Sequence, residues 1–323
     1  MPDSEQVKAI LARGAITADD ILALRHRVFW KGIVTEADAE LAFLLNDKLH
    51  HNADPAWPAF FVEALTDYVV TQAEPSGYVS EDNAAYLIER IGRSGCVDTA
   101  CELELLIKVL ERSRQSPVSL VQFALDQVKI GVVTGAGAVG ARRKCNIAAV
   151  EDHETEMVRR ILYAFGGDGN IAVTQAEAEV LFDINDATDH EHNHPSWSDL
   201  YVKALANFLM AASGYQVPTR QEALRREAWL DEPPAGIPAF IGRMLEGGLK
   251  GVLNAYRAPD PIPDATERWT KPRATDPEIA WAAGRIGRNG RLHENEMALI
   301  NFLKSLDAHR HPRLVPVLDR VAA

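Results

Sequence analysis

One stretch of this chain occurs twice, and that constrains the fold more than any other feature of the sequence. Val34-Thr-Glu-Ala-Asp-Ala-Glu-Leu-Ala-Phe-Leu-Leu-Asn-Asp47 matches Val173-Thr-Gln-Ala-Glu-Ala-Glu-Val-Leu-Phe-Asp-Ile-Asn-Asp186. The match continues from Pro55-Ala-Trp57 and Val62-Glu-Ala-Leu65 to Pro195-Ser-Trp197 and Val202-Lys-Ala-Leu205, and Ser76-Gly-Tyr78 returns as Ser213-Gly-Tyr215. Agreement in order, spacing and residue type over so long a run signals an internal repeat.

The second half of the repeated unit is displaced. Arg90-Ile-Gly-Arg-Ser-Gly95 returns as Arg285-Ile-Gly-Arg-Asn-Gly290, much farther downstream than the first half predicts. The second copy therefore carries an insert at about 216–276. The domain reading that follows is a first copy at 1–131, a glycine-rich linker at 132–153 and a second copy at 154–323.

Local signals in both copies are helical. Thr174 with Glu177 and Thr219 with Glu222 have the spacing of a capping box, and Thr35 with Asp38 is a weaker form of it. Asp54-Pro55, Ser116-Pro117 and His311-Pro312 each place a capping residue before a proline suited to the first helical turn. Val118, Val121, Phe123, Leu125 and Val128 recur with helical rather than alternating spacing, and Gly131 suits a helix stop. The expected fold class is all-α: a duplicated unit of helical hairpins, the second copy interrupted by an inserted amphipathic helical segment.

Charge narrows the function classes. The 323 residues carry a formal net charge of −12, which repels phosphate backbones and argues against nucleic-acid binding. No apolar run approaches spanning length, so no transmembrane helix is expected. Met1 to Gly14 has early acids and no apolar core, so it is not expected to act as a secretory signal. Cys96, Cys101 and Cys145 are too few for a disulfide framework, and Cys101 reads as a buried thiol in a first helical turn. These features fit a cytoplasmic protein.

Two motifs suggest sites that the surrounding sequence does not support. Gly135-Ala-Gly137-Ala-Val-Gly140 spells a dinucleotide-binding turn, with Glu154 near the distance of a ribose-binding acid. That turn works between a strand and a helix of a parallel βαβ unit, whereas here it joins two helical copies, so it reads as a flexible linker. The segments after Arg90 and Arg285 have the glycine spacing of a calcium-binding loop. Its first three ligand positions would be Arg90, Gly92 and Ser94, or Arg285, Gly287 and Asn289, and only the second copy ends on an acid, Glu296, where the first has Cys101. Calcium needs oxygen ligands at those positions, so only the tight glycine turn between packed helices is expected.

Gly167-Asp-Gly-Asn-Ile171, followed by Val173-Thr-Gln-Ala-Glu177, resembles the turn and helix start of tellurite-resistance TerB-like domains. The resemblance implies an all-helical fold with pseudo-repeated hairpins, and metal binding as in some members of that family. Asp168 has no counterpart in the first copy, where Trp30-Lys-Gly32 stands nearby.

The residues offer their own metal candidate. Asp183, Asp186, His190, His192 and His194 bring carboxylates and imidazoles together, and Asp183 and Asp186 share a helix face by spacing. The alternative is a solvated polar loop with His194 capping the helix that starts at Pro195. A divalent metal is the one cofactor considered.

In the insert, Phe240, Ile241, Met244, Leu245, Leu249, Val252, Leu253 and Tyr256 form a stripe at helical spacing. It suits packing on the protein's own core or binding of a protein partner or second subunit. No nucleophile–base pair is recognisable. The leading reading is a non-enzymatic cytoplasmic scaffold or regulatory protein-binding module, followed by a TerB-like metal-binding protein and then an enzyme with a pocket between the copies.

Overall fold

The computed structural model describes residues 4–30, 32–143, 148–164, 172–212, 276–305 and 314–318. These are mostly helical, and no strand is present among them; a single parallel bridge joins Ile16 to Ala53. Chain contacts divide the protein into two units, Met1–Gly131 with Ala136–Arg142, and Val132–Gly135 with Arg143–Ala323. The insert stripe from Phe240 to Tyr256, Thr219 with Glu222, His311-Pro312 and the turn 167–171 lie outside the described residues.

The first unit contains α1 (Ser4–Arg13), α2 (Ala18–Phe29), α3 (Glu36–Leu49), α4 (Trp57–Thr66), α5 (Glu81–Ile91) and α6 (Ala100–Arg112). It also holds most of α7 (Val118–Thr134) and the short α8 (Gly137–Ala141). Helix starts follow the capping chemistry: Thr17 with Asp20, Thr35 with Asp38 and Thr99 with Glu102 all close reciprocal capping boxes. Each satisfies two amides that a helix start leaves without partners. α4 packs on α6, α3 and α2 around the fully buried Phe43, Trp57, Phe60, Phe61 and Leu65.

Two local expectations are corrected. α4 begins at Trp57 rather than Pro55, because the Asp54 carboxylate accepts the Ala56 N–H at 2.9 Å and its carbonyl accepts that of Trp57 at 2.8 Å. Residues 54–56 thus form a turn before the helix. Nor does α7 stop at Gly131 and open into a flexible link: it runs to Thr134, and α8 follows at once. Gly131 works here by its missing side chain. A Cβ there would stand 2.3 Å from the Val139 Cβ, so glycine is what lets α8 fold back onto α7. Gly135 and Gly137, at φ +70° and +67°, make the reversal.

The second unit contains α9 (Asp152–Ala164), α10 (Gln175–Ala187) and α11 (Pro195–Ala212). After the residues left undescribed come α12 (Asp276–Arg285), α13 (Glu294–Ser305) and α14 (Val315–Leu318). Thr174 and Glu177 close the expected capping box, and α11 starts at Pro195 with the His194 Nδ1 accepting the Ser196 N–H at 3.3 Å. α11 packs on α13, α9 and α10, and Trp197, Tyr201, Leu205, Phe208, Leu299 and Ile300 fill the core. Glu154, with no residual exposure, pairs with Arg143 at 2.7 Å.

Burial of Glu102 generates a pH prediction. Burial pushes its carboxyl above the usual range, more than the hydrogen bonds from Thr99 pull it down. A raised folded-state pKa gives stability that is complete below the unfolded value and is lost as pH rises through the folded one. Glu102→Gln therefore loses less melting temperature than the native chain between pH 4 and pH 7. Thermal melts across that range check it, and parallel pH profiles contradict it.

Candidate functional site

The charged centre of the second unit is Arg285, at the end of α12, with a side chain only 5% exposed. Its guanidinium lies 3.2 Å from Glu179, 2.9 Å from Asp183 and 3.4 Å from Asp186, three carboxylates on one stripe of α10. It also stands over the Phe182 ring, 5.3 Å from the centroid. The helical spacing of 179, 183 and 186 is what turns all three acids toward one cation.

The first unit places Arg90, at the end of α5, in the same kind of setting. It is 3.1 Å from Asp47 and 3.8 Å from Glu40, both on α3, and 4.6 Å from the Phe43 centroid. The aromatic layers beneath also agree. Trp57 and Phe61 have centroids 6.1 Å apart at 43°, and Trp197 and Tyr201 are 6.2 Å apart at 48°. Phe43 meets Phe61 edge-on, as Phe182 meets Tyr201.

The loop from Arg285 to Glu296 takes the expected tight turn, with Gly287 at φ +68° and Gly290 at φ +81°. Glu296 is completely buried, and its carboxylate accepts the Gly287 N–H at 3.0 Å and the His293 N–H at 2.9 Å. Both of its oxygens thus bind the loop's own backbone. The loop is tied to the segment after α10 through Asp189, whose side chain is only 3% exposed. That carboxylate lies 2.5 Å from Arg291, 3.0 Å from the His293 Nδ1 and 3.1 Å from the His190 Nε2.

The five candidate metal residues divide among different settings. Asp183 and Asp186 face Arg285, and His190 turns to Asp189 and Arg291. His194 accepts from Ser196 beside Asp152, and His192 is exposed. Among the described residues, no group of three or more His, Cys, Asp or Glu side chains is arranged to hold a metal ion. A guanidinium 3 Å from a carboxylate already supplies the positive charge that a divalent cation would bring.

The interiors around the two arginines differ in polarity. In the first unit the Trp57 Nε1 donates to the Asn46 Oδ1 at 3.2 Å, and Asn46 donates to Glu102 at 3.3 Å. In the second, Asn185 accepts from Asn295 at 2.7 Å, while the Trp197 Nε1 and Tyr201 Oη meet no hydrogen-bond partner among the described residues. Burial raises the Tyr201 phenol well above its ordinary value, with Glu296 and Asp186 adding to the effect, so this hydroxyl stays protonated. Burial also raises the Asp186 carboxyl, against the pull of Arg285.

A cleft of about 510 Å³ opens in the first unit beside Phe29, Pro58 and Val62. Two of its charged groups are already engaged, Glu63 with Arg25 at 2.5 Å and Lys108 with Glu111 at 3.1 Å. Sequence reasoning singled out Asp183 and Asp186 but missed Glu179, Asp189, Arg285, Arg291 and His293 as members of the cluster. The repeated Arg-Ile-Gly-Arg was the available signal: an arginine kept in place beside a glycine turn is a candidate partner for nearby acids.

No protein-family model, curated protein or solved structure matches this chain.

Removing one partner of a buried charge cluster leaves the others without compensation. Glu179 and Asp183 are more than a third exposed, so solvent screens part of that cost. Arg285→Met is expected to destabilise the second unit by on the order of 3 kcal/mol. Adding Asp183→Asn and Asp186→Asn recovers part of the loss. Denaturant melts of the single and triple variants measure both effects, and an additive triple variant contradicts the pairing.

Proposed function

We propose that this chain is a non-enzymatic helical scaffold in the cytoplasm, built from a duplicated hairpin unit whose second copy carries an insert, and that it acts by contacting other proteins. The observation that carries this reading is the use of the charged side chains. Arg90 and Arg285 each hold acids of the facing helix over a phenylalanine, and Asp189 and Glu296 are turned onto the chain's own loop. Such groups fix helices relative to one another. A catalytic acid or base instead needs reach to a substrate.

Duplication is supported by contacts that recur at matched positions, even where the residues making them differ. Arg13 bonds Asp20 and the Ala15 carbonyl, while Arg143 bonds Glu154 and the Ala149 carbonyl. The Asp54 N–H donates to the Ile16 carbonyl, and that of His194 donates to the Val150 carbonyl, both at 2.8 Å. Buried Ile21, Leu24 and Val28 of α2 correspond in spacing to buried Thr155, Val158 and Leu162 of α9.

The alternative is a TerB-like metal-responsive protein. It draws on the resemblance around Gly167 to Glu177, of which the capping box of Thr174 and Glu177 supports a helix start. It requires Asp183 and Asp186 to exchange Arg285 for a metal.

Two measurements separate the readings. Elemental analysis and zinc titration of the purified protein are expected to give no stoichiometric ion. Crosslinking of the native protein in its cells, followed by mass spectrometry, is expected to return a protein partner that is retained when His190, His192 and His194 are all replaced by alanine. One bound ion per chain, lost with Asp186→Asn, favours the metal reading. Recovery of no protein partner overturns the scaffold.

A further inference from the structure

We draw no further inference here: the strongest candidate, the cleft of the first unit between Phe29 and the outer face of α4 at Pro58 and Val62, carries nothing, because Glu63 and Lys108 in its lining are already paired within the unit and nothing in the structure shows what covers it.

Discussion

A guanidinium taken out of water needs several acceptors held in place, and each unit of this protein is arranged around that requirement. Arg285 and Arg90 are about as buried as the apolar residues beside them. Their charge is met by acids spaced along one helix, and the flat face of the guanidinium is met by a phenylalanine ring from the same helix. Satisfying an arginine in this way fixes three things together: the rotation of the acid-bearing helix, the end of the helix that carries the arginine, and the start of the glycine turn that follows. An isolated buried pair often contributes little net stability, because desolvation offsets attraction. Its stronger effect is on specificity, since a helix rotated by one residue leaves the cation without partners.

Fold class was largely legible in the sequence because its signals are local. Thr35 with Asp38 and Thr174 with Glu177 mark helix starts through side chains three residues apart, and both cap as expected. Trp57 and Trp197 are the largest side chains in matched segments, and both are buried in aromatic layers. The misreadings were of glycine and proline. Gly131 resembles a stop, yet it serves as the gap that admits Val139, and only the neighbouring helix reveals that. Pro55 resembles a first helical residue, but the carboxylate of Asp54 closes a turn across it.

The candidate site was less legible because its central contacts join residues about a hundred positions apart. Asp183 and Arg285 meet across a long intervening segment, as do Asp189 and Arg291. Seen alone, the acids and histidines of 183–194 suggest ligands for a cation that has yet to be supplied. An arginine-rich turn far downstream brings Arg285 to Asp183 and Asp186. Glu296 illustrates the same limit. Its place at the end of a loop with calcium-binding spacing suggests a metal ligand, yet its oxygens accept the loop's own backbone amides.

The central claim is that each unit closes its own core around its own arginine. Thermal denaturation of residues 1–142 produced alone, followed by near- and far-ultraviolet circular dichroism, tests it most directly. The account predicts a helical chain with ordered aromatic residues and a single cooperative transition, abolished or strongly lowered by Arg90→Met. A fragment without near-ultraviolet signal that melts gradually, or one indifferent to loss of Arg90, would contradict it.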